Sequence, residues 1–116
     1  MKKIKFEYYN KDEFDSFVSQ LNKKDATKLL SIIKKIEKYG LPIAAKKGWT
    51  KKSESNLYEI RSKWASNIQR ALYFKVINGN YIITNVFTKK QQKTPKKEKE
   101  LAKSRRKEFF ERNKDE

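Results

Sequence analysis

From Leu57 to Thr88 the apolar residues recur with a period of two, and this stretch limits the possible folds more than any other. Leu57–Arg61 predicts one strand, Ile68–Ile77 a second and Tyr81–Thr88 a third, since successive strand side chains point to opposite faces. Asn78-Gly79 stands between the last two, and such a pair suits a type I′ turn, which needs positive φ at both central positions. A two-residue turn there sets a register: Ile77 faces Asn80, Phe74 faces Ile83 and Arg70 faces Phe87. Paired residues share a face, so Arg70, Leu72 and Phe74 fall together with Asn85, Phe87 and Lys89. Ala71 and Tyr73 fall on the other face with Val86, Thr84 and Ile82. One end of the hairpin therefore gathers Arg70, Asn85, Phe87 and Lys89.

On either side of this block the period is helical. Ile4, Phe6 and Tyr8 alternate as a short strand, and Asn10 with Glu13 forms a helix-start pair ahead of Phe14, Phe17, Val18 and Leu21. Asn22 opens a second helix carrying Ala26, Leu29, Leu30, Ile33 and Ile36 on one stripe, which Gly40 and Pro42 end. Residues 41–56 read as a surface loop, which can include a turn of helix. In it Trp49 has two readings, a stacking platform for a base or a pin that holds the loop to the core. Thr94 followed by Pro95 marks a cap and first helical position, and predicts a last helix to about Arg112. The expected architecture is one α+β domain over residues 1–116. It has a strand and helical hairpin in 1–40, antiparallel strands in 57–88 and a C-terminal helix in 95–112. The two N-terminal helices cover one face of the sheet, and the concave face stays open and basic.

Charge narrows the partner. Thirty Lys and Arg against fourteen Asp and Glu give +16, beyond the roughly 2 to 8 charges that keep a small domain in solution. A polyanion is implied, with nucleic acid ahead of an acidic protein or an anionic membrane surface. Membrane binding is disfavoured, because no apolar run nears the ~20 residues of a spanning helix. The basic start Met1–Phe6 lacks the apolar stretch of a signal peptide, which points to the cytoplasm. Neither Cys nor His is present, so zinc sites, disulfides and the usual neutral-pH acid–base residue are excluded. No acidic constellation suggests a metal, and three glycines leave no phosphate-cradling loop. No cofactor is expected.

What remains is a cationic surface. Arg61, Arg70, Lys89 and Lys90 are the candidate catalytic residues. RNA carries its own nucleophile, the 2′-OH, so a catalyst needs chiefly to align it and to stabilise the charged transition state. Arginine forks and lysines can do this, and a lysine among cations has a lowered pKa. Glu59 is a candidate base or a partner for Arg61. Glu59, Asn85, Gln91, Lys93, Thr94, Lys96, Lys97 and Trp49 are the candidate nucleic-acid contacts. Lys96 and Lys97 oppose the dipole of their own helix, as expected where phosphate is to be received.

Leu57–Arg61, Ile68–Phe74, Phe87–Pro95 and the later Glu98, Glu100, Ala102, Lys103 and Arg106 together resemble the RelE/ParE superfamily of toxins. The likeness is to its HigB-like, phage-derived branch, and covers nearly the whole chain. The resemblance implies a type II toxin–antitoxin toxin that acts as a ribosome-dependent mRNA endoribonuclease. Arg61, Arg70, Lys89, Lys90 and Lys93 would carry its active surface. The implied partners are the mRNA, the ribosome and a helix-turn-helix, HigA-like antitoxin. Two departures stand out: no tyrosine follows Tyr81, and the histidines of some HigB enzymes are missing. The same residues admit two other readings, a ParE-type inhibitor of DNA gyrase and a non-catalytic nucleic-acid-binding module. For the nuclease, Arg70→Ala is expected to relieve toxicity and leave the fold intact.

Overall fold

The computed structural model describes residues 4–77, 79–90 and 93–113. Gln91, one of the expected contacts, lies outside the described residues. The elements in order are β1 (Phe6–Tyr8), α1 (Lys11–Gln20), α2 (Lys23–Tyr39), α3 (Leu41–Lys46) and β2 (Thr50–Glu54). They continue with β3 (Leu57–Trp64), β4 (Asn67–Lys75), β5 (Tyr81–Lys89) and α4 (Lys96–Arg112). The five strands form one sheet in the order β1-β5-β4-β3-β2. Every pair is antiparallel except β1–β5, which runs parallel between strands far apart in sequence, a pairing that alternation alone does not reveal.

The expected caps form. The Asn10 side chain accepts from the Glu13 N–H at 3.0 Å, and that of Asn22 from the Asp25 N–H at 2.9 Å, each satisfying a donor with no partner inside its helix. The apolar stripe of α1, Leu29, Ile32, Ile33 and Ile36 of α2, and Ala44 of α3 bury against Phe6, Ile60, Ala71, Tyr73 and Ile83 on one face of the sheet, whereas Leu30, expected on the α2 stripe, stays 40% exposed and Ile32 takes its place. On the other face α4 lays Ala102 over Leu57, Leu72 and Phe87, while Phe109 and Phe110 each stand 5.5 Å from the Phe74 ring.

Three local expectations are corrected. The β4–β5 hairpin closes through Val76, whose N–H donates to the Asn80 carbonyl at 2.8 Å, and not through an Ile77–Asn80 pair. The Gly79 N–H returns to the Val76 carbonyl, and Gly79 takes φ +86°. A connection one residue longer than expected shifts the near pairs to Tyr73–Ile83 and Phe74–Ile82. A bulge at Thr84 then absorbs the extra residue, so that Leu72–Asn85, Ala71–Val86 and Arg70–Phe87 stand where a two-residue turn would put them. Tyr73 thus shares its face with Ile83, and Ile82 goes with Phe74.

Residues 41–56 do hold helix, as α3, but the rest is the edge strand β2 where a loop was expected. Gly40, at φ +87°, turns the chain out of α2, and Pro42 sits in the first turn of α3, where its missing N–H costs nothing. β2 is polar throughout, as edge strands often are, and so carries no hydrophobic alternation to read. Thr94, lastly, does not cap α4. Pro95 occupies the cap position without a side-chain hydrogen bond, and the Thr94 hydroxyl goes to Glu59.

The helix-covered face also holds phenols away from water. Burial, reinforced by the Glu37 and Asp15 carboxylates, pushes Tyr8 up to about 12. Burial likewise pushes Tyr73 up to about 12, although its hydrogen bond with Thr50 pulls the other way. In the unfolded chain both would ionise near 10. Above that pH the folded state holds more protons than the unfolded one, so stability should fall as pH rises from 10 toward 12. Urea unfolding at stepped pH, with tyrosinate absorbance followed in parallel, should show these two phenols ionising only as the fold is lost. Replacing Tyr8 and Tyr73 by Phe should flatten the alkaline decline.

Candidate nucleic-acid interface

Cross-strand pairing sets three rows on the face opposite α1–α3. Glu59, Leu72 and Asn85 form one, Arg61, Arg70 and Phe87 the next, and Lys63, Ile68 and Lys89 the outermost. Toward the first row α4 closes over the sheet. Toward the outer two the surface opens into a basin of about 990 Å³, lined among others by Arg61, Lys63, Asn67, Arg70, Lys89 and Lys90. Among the described residues, five lining side chains are cationic and none is acidic.

Arg70 stands at the floor and is only 5% exposed. Its Nε lies 3.2 Å from Oε1 of Glu59, an ion pair without hydrogen-bond alignment. Glu59, also buried, accepts the Thr94 hydroxyl on Oε2 at 2.6 Å. Glu59 therefore pairs with Arg70 and not with Arg61, whose cross-strand neighbour is Arg70 itself. Burial and the Arg61 guanidinium pull the Arg70 pKa below the usual arginine value, with Glu59 pulling it back. Lys89 is lowered in the same way, first by burial and then by Arg70, with Arg61 and Lys51 adding and Glu59 opposing. The basin is a concentrated positive field around one pinned arginine and one lysine that releases its proton more easily than a free one.

Of the expected site residues, Arg61, Arg70, Lys89 and Lys90 meet in the basin. Asn85 does not present its amide to a ligand. It is buried, its Nδ2 donates to Glu98 Oε1 at 2.9 Å and to the Glu98 carbonyl at 3.3 Å, and its Oδ1 accepts from Thr84. Glu59 and Thr94 are spent on each other and on Arg70. Trp49 is half-buried against the core, 6.3 Å from the Tyr39 ring with Lys35 Nζ 5.8 Å from its centroid, a packing that fits the pin among its two readings, and it does not line the basin. Lys93, Lys96 and Lys97 are exposed at the entry to α4 and do not line the basin.

Two cations on this face were not singled out by the sequence, Lys63 in the basin and Lys51 beside it. Lys63 follows Arg61 by two on β3, so strict alternation carried a little further would have found it. Lys51 lies opposite Glu59 across β2–β3 and hence on the same face; only the edge strand's register reveals it. The arginines of α4 hold that helix over the sheet. Arg105 donates to the Thr84 carbonyl at 2.7 Å and pairs with Glu13 at 2.8 Å, and Arg106 donates to the carbonyls of Ser55 and Asn56.

Removing one member of the buried pair leaves the other uncompensated, so Glu59→Ala and Arg70→Ala should each cost about 3–5 kcal/mol of stability. Arg70→Ala is therefore expected to weaken the fold as well as relieve toxicity, which differs from the sequence-based expectation that it spares the fold. The double change Glu59→Leu with Arg70→Met should recover most of that loss by urea unfolding while emptying the basin floor of charge.

The family model described as phage-derived protein Gp49-like (DUF891) matches residues 16–107 of the chain. Comparison with curated proteins finds no match.

Proposed function

The chain belongs to the Gp49-like family, a RelE/HigB-like toxin family of the toxin–antitoxin type whose members generally pair with an antitoxin, and on that premise we propose that it is an mRNA endoribonuclease. The observation that carries this reading is the basin, where, among the described residues, five cations and no acid surround a cleft large enough for a nucleotide. It fits a HigB-like toxin that works on the translating ribosome and is held in check by a helix-turn-helix antitoxin.

In this reading the RNA supplies the nucleophile. Its 2′-oxygen attacks the adjacent phosphorus, the bond to the 5′-oxygen breaks, and a 2′,3′-cyclic phosphate and a 5′-hydroxyl result. Arg70, fixed by Glu59, and Arg61 beside it hold the non-bridging oxygens as negative charge builds there. Lys89, with its lowered pKa, gives its proton to the departing 5′-oxygen while the 2′ proton passes to water. Lys51, Lys63 and Lys90 draw the strand across the face. No tyrosine follows Tyr81 and the chain has no histidine, so in this reading lysine takes the role of proton carrier.

Brief induction followed by primer extension should reveal new 5′ ends within translated mRNA, and purified protein should halt a reconstituted translation system. Arg61→Ala and Lys89→Ala, both at partly exposed positions, should keep the fold and each lower cleavage on the order of 10²-fold or more. Intact mRNA with broken DNA would instead indicate gyrase poisoning. Binding that weakens with salt, with no cleavage, would indicate a passive binding module.

The pH profile supplies a separate test. If Lys89 acts as the acid, cleavage should fall as pH rises past a pKa lower than that of an ordinary lysine. Arg61→Gln removes a neighbouring positive charge, so the surviving activity should hold to higher pH than in the parent protein.

A further inference from the structure

The β3–β4 hairpin ends beside the basin in a tip, Trp64–Asn67, whose aromatic residue the core does not use. The last ladder pair is Trp64 with Asn67. Ser66 and Asn67 line the basin, while the Trp64 indole stands 44% exposed. Among the described residues Trp64 joins neither apolar cluster, unlike Trp49, which packs against the core. Its surroundings are cationic: Lys63 precedes it in the basin, and Lys24 Nζ stands 5.5 Å from its ring centroid. The tip is also held in place. Ala65 takes φ +53°, a left-handed conformation that a side chain disfavours. The Asn67 amide donates to Asp25 Oδ2 at 3.1 Å, and Asp25 is buried at the start of α2. A buried carboxylate thus fastens the residue that pairs with Trp64.

We propose that Trp64 is a stacking platform for one base of a single-stranded RNA that leaves the basin over this tip. Alternation turns Trp64 to the side away from Lys63, but β3 ends here. A strand passing Ser66 and Asn67 therefore has only to round the edge of the hairpin to reach the indole. Lys24 engages the ring as a cation over a π system, and an indole has two faces, so a base laid on the other completes a stack of cation, ring and base. Lys63 meets the phosphate that links this base to the nucleotide in the basin. Every base has a π face, so the tip grips the strand without choosing among sequences. This rests on the reading of the basin as an RNA cleft, and adds to it the place of a neighbouring base.

The test uses the full chain and a 2′-O-methyl tetrauridylate, whose blocked nucleophile keeps binding apart from cleavage. An abasic tetramer of the same charge is the comparison probe. The chain has two tryptophans, and Trp64→Tyr assigns their indole N–H signals. The tetrauridylate should shift the Trp64 signal and leave that of Trp49 in place. Trp64→Leu should weaken the tetrauridylate about fivefold or more, the lower end of what one stacked base contributes, while Trp64→Tyr keeps most of the affinity. The abasic tetramer should bind the parent and Trp64→Leu alike. An unmoved Trp64 signal, full tetrauridylate affinity in Trp64→Leu, or an equal loss for the abasic tetramer would each overturn the proposal. So would failure of the tetrauridylate to bind the parent protein. Cleaved mRNA with an unmoved Trp64 signal would sink the stacking alone, whereas a stacked tetrauridylate with uncut mRNA would sink only the nuclease.

Discussion

The pairing of Glu59 with Arg70 ties the two halves of this molecule together. Glu59 sits where β3, the approach to α4 and the basin floor meet. One oxygen faces Arg70 and the other takes the Thr94 hydroxyl, so one carboxylate both holds a buried arginine and fastens the segment that leads into α4. A well-packed apolar pair of similar volume can match or exceed the stability of such a buried ion pair, because desolvation consumes much of the Coulombic gain. What an apolar pair cannot do is present a cation that is fixed in place, partly stripped of water and turned toward an open cleft.

The rest of the sheet is arranged around that point. Its helix-covered face is apolar and aromatic, and supplies the rigidity. Its opposite face is divided by α4, which covers Leu57, Leu72 and Phe87 and leaves the rows containing Arg61, Arg70, Lys63 and Lys89 open. Few apolar residues secure α4, and its docking relies on polar anchors: Asn85 to Glu98, Arg105 to Thr84 and Glu13, Arg106 to the β2–β3 turn, and Lys103 to Glu54 at 3.2 Å. Several basic residues that look like nucleic-acid contacts in a +16 chain are therefore structural fasteners.

Much of this was legible in advance, and the misses have identifiable causes. The caps at Asn10 and Asn22 and the strands of 57–88 follow from local preference and period, so they stand where expected. The hairpin register was right at Arg70–Phe87 for an incomplete reason: a longer connection and a bulge at Thr84 offset each other. Strand β2 was missed because an all-polar edge strand is stabilised by its ladder with β3, which no window of sequence displays. Thr94 and Asn85 were misread because cap-forming and amide side chains bond to whatever polar group the fold brings nearest.

By itself, then, the sequence determined an α+β chain whose alternating block puts Arg61, Arg70 and Lys89 on one face, with charge demanding an anionic partner. Alternation and composition are local properties, and they survive any arrangement of the other elements. Only the tertiary structure decided that Glu59 pairs with Arg70 and not Arg61, that Lys63 joins the basin with Lys51 on the same face of the sheet beside it, and that Trp49 and Asn85 pack into the scaffold. Those outcomes depend on which strand lies beside which and on where α4 comes down, and both are set by contacts between residues distant in the chain.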